Sequence, residues 1–271
     1  MAITTLDGAI AGMQAPVPIT KVGIATAAVG AMRGYTPWYA AGNPGAATAN
    51  AAGVNGAAVT APVTGMLPRT NPTGGAFAYL ARLGINASTP GTLWLIDRMW
   101  NNSGLSVTST AGQAITSAAL PARSGDGTAN GANVMAAIEW SATGGAGTPA
   151  VTLNYNDQDG VASTGTFTAI ASPPVGTFEV FTLGAGDTGI RSLTSASSFT
   201  QSATRNSGTM HLVLFRVLAQ VEVTSANIGN AIDVLTAGMP RIYDGSVLQL
   251  VWFPSATTAT NFIGQYIETQ G

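Results

Sequence analysis

Any acid–base chemistry near neutral pH would have to turn on His211, the chain's only histidine. A Ser-His-Asp relay is formally open to it, because Ser and Asp are plentiful. However, no G-x-S-x-G elbow is present to hold a nucleophile. A single histidine cannot build a His-rich metal site, and the absence of cysteine removes thiolate chemistry, disulfides and Cys-ligated metals. His211 sits in the apolar run Met210–Ala219, which predicts a satisfied core or interface histidine.

Two short patterns resemble ligand loops. Gly184-Ala185-Gly186-Asp187-Thr188-Gly189 matches G-x-G-x-x-G. A dinucleotide site needs a helix next and an acid about 20 residues on. A β- and Ser/Thr-rich stretch follows instead, so the segment reads as a turn between strands. Asn154 to Gly160 resembles a calcium loop, but aligning on Gly160 puts Tyr155 first and Thr166 twelfth, where acids are required. A hairpin turn is the reading, with a loose surface calcium site near Asp157 and Asp159 as the weak rival. No cluster of sugar-gripping aromatics accompanies the twelve acids, which argues against a glycosidase cleft. Asp97 and Arg98 lie in an apolar strand and are expected to form an ion pair within the fold or across a subunit contact. Asp187 and Arg191 form a second local pair of that kind. No catalytic residue, cofactor or metal is assigned.

Only 8% of the 271 residues are charged, against about one-quarter in an ordinary soluble domain. Surface charge keeps proteins dissolved and separate. A chain this poor in it, and rich in Ala, Gly, Thr and Ser, suits lying against other protein. The net charge is −2, and the cations are Lys21 and nine scattered arginines. With no basic stripe, nucleic acid is not an expected partner. No run reaches the ~18 apolar residues of a spanning helix and no basic amphipathic helix is evident, so no membrane partner is expected. No secretory signal is read at the N-terminus, which is broken by Asp7, Gln14, Pro16 and Pro18. Synthesis in a cytoplasm is the expectation.

The elements that must carry these residues are mostly strands. Residues 1–76 read as an N-terminal arm and an Ala/Gly-rich extended loop. Thr5 caps a short helix whose Leu6, Ile10 and Met13 fall on one side. They are candidate interface residues, together with the aromatic cluster Tyr35, Trp38 and Tyr39, which the local core could equally claim. Residues 77–219 read as a β-sandwich core, and residues 220–271 as a C-terminal β extension. Strands are expected near 93–100, 134–140, 151–155, 164–170, 178–183, 210–219, 246–253 and 262–267. The segments at 93–100 and 210–219 are apolar on both faces. The fold class is mainly β, a β-sandwich or jelly-roll-like domain with an extended N-terminal arm and long irregular loops.

Several pieces are similar to a family of virion structural proteins of tailed bacteriophages. They are Gly34–Gly45, Gly91–Trp100, the hairpin around Tyr155–Gly160, Gly184–Ser192 and Leu214-Phe215-Arg216. The resemblance implies a head or tail component of the particle, one that decorates or cements the capsid. Its partners would be the major capsid protein and copies of itself, and it would reside in the virion. It brings no catalytic residues, and 220–271 lies outside it. A tail or baseplate protein and a surface β module for host binding are the alternatives.

Overall fold

The computed structural model describes residues 3–50, 55–115, 119–194 and 196–271. One short helix, α1 (Leu6–Ala11), precedes seventeen strands among these residues. They are β1 (Val17–Ile24), β2 (Arg33–Tyr35), β3 (Gly42–Asn43), β4 (Ala57–Ala58), β5 (Ala78–Ala87), β6 (Gly91–Asn101), β7 (Val134–Ala142), β8 (Ala150–Asp157) and β9 (Ala162–Thr168). Then come β10 (Thr177–Val180), β11 (Ile190–Leu193), β12 (Phe199–Gln201), β13 (Thr209–Val223), β14 (Asn230–Asp233), β15 (Arg241–Ile242), β16 (Leu248–Pro254) and β17 (Thr260–Gln270). A 3-10 turn, Pro37–Tyr39, follows β2. No helix among the described residues is long and apolar enough to cross a membrane.

Six strands close on themselves in the order β13-β7-β10-β2-β16-β6, because β13 pairs with both β7 and β6. All the pairings are antiparallel. Two register shifts along β6 and β13, at Leu214/Phe215 and Val217/Ala219, supply the extra curvature that closure needs. The barrel interior is an apolar cluster of Ile96, Ala137, Phe178, Val180, Val213, Phe215 and Val251.

Two further sheets pack on the outside of this barrel. One has the order β14-β5-β17-β1-β3, with β15 also on β5. Its Leu80, Leu83, Ile85, Phe262 and Tyr266 meet Leu93, Leu95, Val221, Leu250 and Trp252 of the barrel wall. In the other, β8 carries β9 on one edge and β11 and β12 along the opposite edge. Val151, Leu153, Tyr155 and Phe199 there cover Trp100, Ile138, Trp140, Leu212 and Leu214. Walls such as β6 and β13 therefore bury one face inside the barrel and the other under a sheet.

This corrects the sandwich or jelly-roll expectation. Doubly apolar strands are required in a covered barrel wall as much as in a sandwich core, and periodicity alone does not separate the two. The mainly β class stands. The barrel also takes strands from all three sequence segments: β2 from 1–76, β16 from 220–271, β6, β7 and β10 from 77–219, and β13 from across the boundary between the last two. Likewise β1 pairs with β17 over Val17–Ile24, so the two chain ends share one sheet.

The aromatic pair Phe178 and Phe215 meets edge-on inside the barrel, with ring centroids 5.2 Å apart. Truncating Phe215 to Ala should cost about 3–5 kcal/mol in urea unfolding. Leu235→Ala, on the surface, should stay within ~0.5 kcal/mol. Equal costs at the two positions would mean that the barrel interior is not a packed core.

Candidate functional site

One end of the barrel interior is polar. Along β7 the inward row continues from Ala137 to Glu139 and Ser141. On β6 it runs from Ile96 to Arg98, on β13 from Val213 back to His211, and on β16 from Val251 back to Gln249. The alternation of strand residues thus brings Arg98, Glu139, His211 and Gln249 together, each essentially without solvent exposure.

Both carboxylate oxygens of Glu139 lie 2.8 Å from Arg98 Nη1. Gln249 Nε2 donates to Glu139 Oε1 at 2.9 Å, and the Tyr39 hydroxyl donates to Oε2 at 2.8 Å. Gln249 also donates to Thr36 Oγ1, which in turn donates to the Leu250 carbonyl. Burial and the neighbouring Glu139 push the Tyr39 phenol well up, so it remains a donor. Glu139 thus accepts from three side chains, which leaves it poorly placed to take a proton from a substrate.

His211 Nδ1 lies 3.2 Å from the Asn102 carbonyl, an acceptor only, so this nitrogen carries the proton. Nε2 then accepts from Ser141 Oγ at 2.6 Å. Burial pulls the imidazole below its usual range, which favours the neutral form. The contact has the tautomer of a serine–histidine dyad. Its third position is a backbone carbonyl, however, where a triad has a carboxylate. Nearby Glu139 is already held by Arg98.

The other charged residues singled out in the sequence find partners elsewhere. Asp97 and Arg98 are consecutive on a strand and face opposite sides, so they form ion pairs within the fold but not with each other. Asp97 accepts from Ser246 Oγ at 2.6 Å and Val247 N at 3.0 Å, and sits 3.4 Å from Arg123 and 3.7 Å from Arg216. Asp187 accepts from Tyr155 and Ser163 and does not pair with Arg191. These hydroxyls hold its carboxyl below the usual range. Asp157 Oδ1 accepts the backbone N–H groups of Asp159 and Val161, which makes this segment the turn of the β8–β9 hairpin. No cluster of three acidic, histidine or cysteine residues is present among the described residues. The G-x-G-x-x-G segment leads into β11, a strand.

The aromatic cluster turns inward. Tyr35 is fully buried, and its hydroxyl accepts from Ala27 N and Ala28 N and donates to the Ala28 carbonyl. Trp38 is buried with its ring 5.2 Å from the Arg98 guanidinium. Tyr35 and Trp38 thus anchor their own fold, and the partly buried Tyr39 donates to Glu139.

Leu6, Ile10 and Met13 point the other way. Thr5 Oγ1 accepts Gly8 N at 3.0 Å and caps α1. The helix is fastened to β17 by its small side: Ala9 is buried, its carbonyl accepts from Thr269 Oγ1, and Gly12 O accepts from Gln270 N. A Cβ on Gly12 would fall 2.2 Å from the Gln270 carbonyl, so only glycine permits this approach. The large side chains are left outward, with Leu6 50%, Ile10 55% and Met13 42% exposed. Leu6 adjoins Ile3, Val234, Met239 and the 77%-exposed Leu235 around a groove of about 270 Å3. The sequence did not mark Val234, Leu235 and Met239, because nothing local signals their proximity to the N-terminus.

Comparison with protein-family models, curated proteins and solved structures finds no match. The functional reading therefore rests on geometry, composition and the sequence resemblance given above.

Two measurements follow. Arg98→Met strands the Glu139 carboxylate inside the barrel and should cost about 3–5 kcal/mol by chemical unfolding. A cost near zero would mean that water reaches this end freely. Lys21 is buried, donates to the Ala40 carbonyl at 2.9 Å and has no carboxylate within 4.0 Å among the described residues. Burial lowers its pKa to about 8. Above that pH the folded chain has shed a proton that the unfolded chain keeps until about pH 10.4. The Lys21 contribution to stability should therefore rise from pH 8 to about 10.4 and be flat below 8. The difference between wild type and Lys21→Met in urea titrations should show this slope. A pH-independent difference would contradict it.

Proposed function

We propose that this chain is a non-enzymatic structural subunit of a tailed-phage virion. In this reading it decorates or cements the capsid by burying neutral surface against the major capsid protein and copies of itself. The observation that carries the reading is the attitude of α1. A helix docked through Ala9, the capping Gly12 and backbone, with Leu6, Ile10 and the following Met13 outward, is built to be covered from the other side. Apolar burial is worth about 25 cal/mol per Å2, and contacts of modest area accumulate when repeated around a shell.

The treatment of charge supports the same reading. Arg98, Arg123, Arg205 and Arg216 are buried, as are Asp97, Glu139 and Glu179. These ions serve the interior, and few remain on the surface to be desolvated when a neighbour docks. The similarity to virion proteins at Gly34–Gly45 and Gly91–Trp100 covers β2, the 3-10 turn, β3 and β6. β2 and β6 belong to the barrel, the 3-10 turn to its polar end and β3 to an outer sheet, so on this reading the shared pieces are scaffold.

A substitution tests the reading better than a deletion. Removing residues 2–20 would also remove Val17–Thr20 of β1, including the core residue Ile19. Leu6→Asp combined with Ile10→Asp should leave circular dichroism and thermal midpoint nearly unchanged. Co-sedimentation with capsids should weaken by about 100-fold or more. Unaltered capsid binding by this folded variant would overturn the α1 contact. Labelling confined to the tail in electron micrographs would place the subunit elsewhere on the particle.

A further inference from the structure

The chain has no cysteine, so methionine is its most readily oxidised side chain. The methionines are not equally placed. Met99 and Met210 are buried in the cluster between the barrel and the β8 sheet. Met66 is buried too, and its sulfur accepts from the Val63 N–H. Met32 and Met135 are half-buried and pack against the barrel interior. Met239 is half-buried in the groove it shares with Leu6 and Leu235. Met13, at 42%, is the one exposed methionine among the described residues.

The backbone of Met13 is held although its side chain is outside. Its N–H donates to the Ile10 carbonyl at 3.2 Å, and the Gln14 N–H donates to the Glu268 carbonyl at 2.8 Å. Met13 also stands opposite Thr269 in an antiparallel bridge. A chemical change at the sulfur therefore alters the surface and leaves the core untouched. Oxidation replaces a flexible apolar thioether with a polar sulfoxide, and here it would do so beside the exposed Leu6 and Ile10.

We propose that Met13 is a peroxide-sensitive modification site, and that its oxidation turns the α1 surface from apolar to polar and loosens its hold on an apolar partner. The thioether sulfur attacks one oxygen of hydrogen peroxide, and the O–O bond breaks as the S–O bond forms. The sulfur is oxidised and the peroxide reduced. The departing hydroxide takes the proton from the new S–OH group and leaves as water. The effect on docking rests on the reading of α1 as a contact surface, whereas the oxidation itself does not. A partner seated on this face would shield the sulfur, so the switch acts before docking and not after it.

The full chain is exposed to graded hydrogen peroxide, and each methionine is followed by peptide mass spectrometry. Met13 should be oxidised at least ~10-fold faster than Met99 and Met210, which the fold shields. A phenyl resin serves as the apolar partner. Chain oxidised at Met13 should elute earlier from it, with an unchanged circular dichroism spectrum and thermal midpoint. Met13→Leu keeps size and apolarity but has no sulfur to oxidise. It should bind the resin like the untreated chain and lose most of the peroxide-induced shift. Capsid co-sedimentation should weaken by about 10-fold on oxidation, the order expected for one contact of this size. Oxidation of Met13 no faster than of Met99 or Met210 would overturn the proposal. So would unchanged resin retention after Met13 is oxidised, or an equal shift in Met13→Leu. If the untreated chain does not bind capsids, the virion reading fails, while the oxidation order and the resin retention still decide this one.

Discussion

Everything in this molecule hangs on β13 having two partners. Its residues from Thr209 to Arg216 pair with β7, and those from Val213 to Val223 pair with β6. That double pairing closes the barrel and removes the edges an open sheet would expose. Closure also creates an inside, and the inside dictates the polarity of every strand around it. The two outer sheets then have a convex, apolar wall to pack on. Without the closure, β6 and β13 would each present an apolar face to solvent.

Closing a barrel leaves two ends to finish. At one end the inward rows stop being apolar, and Arg98, Glu139, Gln249, Thr36 and Tyr39 form a bonded cluster. Trp38 lies over the guanidinium. An ion pair in this position adds little net stability compared with a hydrophobic filling, yet it fixes which groups may stand opposite one another. It ties β6, β7 and β16 to the segment that follows β2.

Local patterns made several elements legible in the sequence. Val151, Leu153 and Tyr155 alternate with polar residues and lead into an Asp-Gly-containing turn, and the β8–β9 hairpin lies there. The Thr5-capped helix and the long strands β6 and β13 were equally readable. Closure was not, because it depends on which distant strands pair, and an apolar strand carries no label for its partner. β2 has only three residues, one of them Gly34, and leaves no periodic trace although it completes the barrel. The partners of Asp97 and Arg98 lie at positions 123, 139 and 216, far beyond any local spacing. The polar end was therefore visible only as isolated oddities, a charged pair and a histidine in apolar runs. The outward side of α1 was legible as a periodicity, whereas the adjoining Leu235 was not.

The fastening of α1 has a mechanical consequence. The helix is joined by hydrogen bonds to the last residues of β17 and by covalent chain to the start of β1, and those two strands are antiparallel neighbours. β17 is in turn paired with β5 along nearly its whole length. A tug on the helix directed along these strands would load the ladder in shear, so that many bonds must yield together. A peeling force would open them one at a time. Tension arriving at the N-terminus in that direction would be spread through a whole sheet before it reached the barrel.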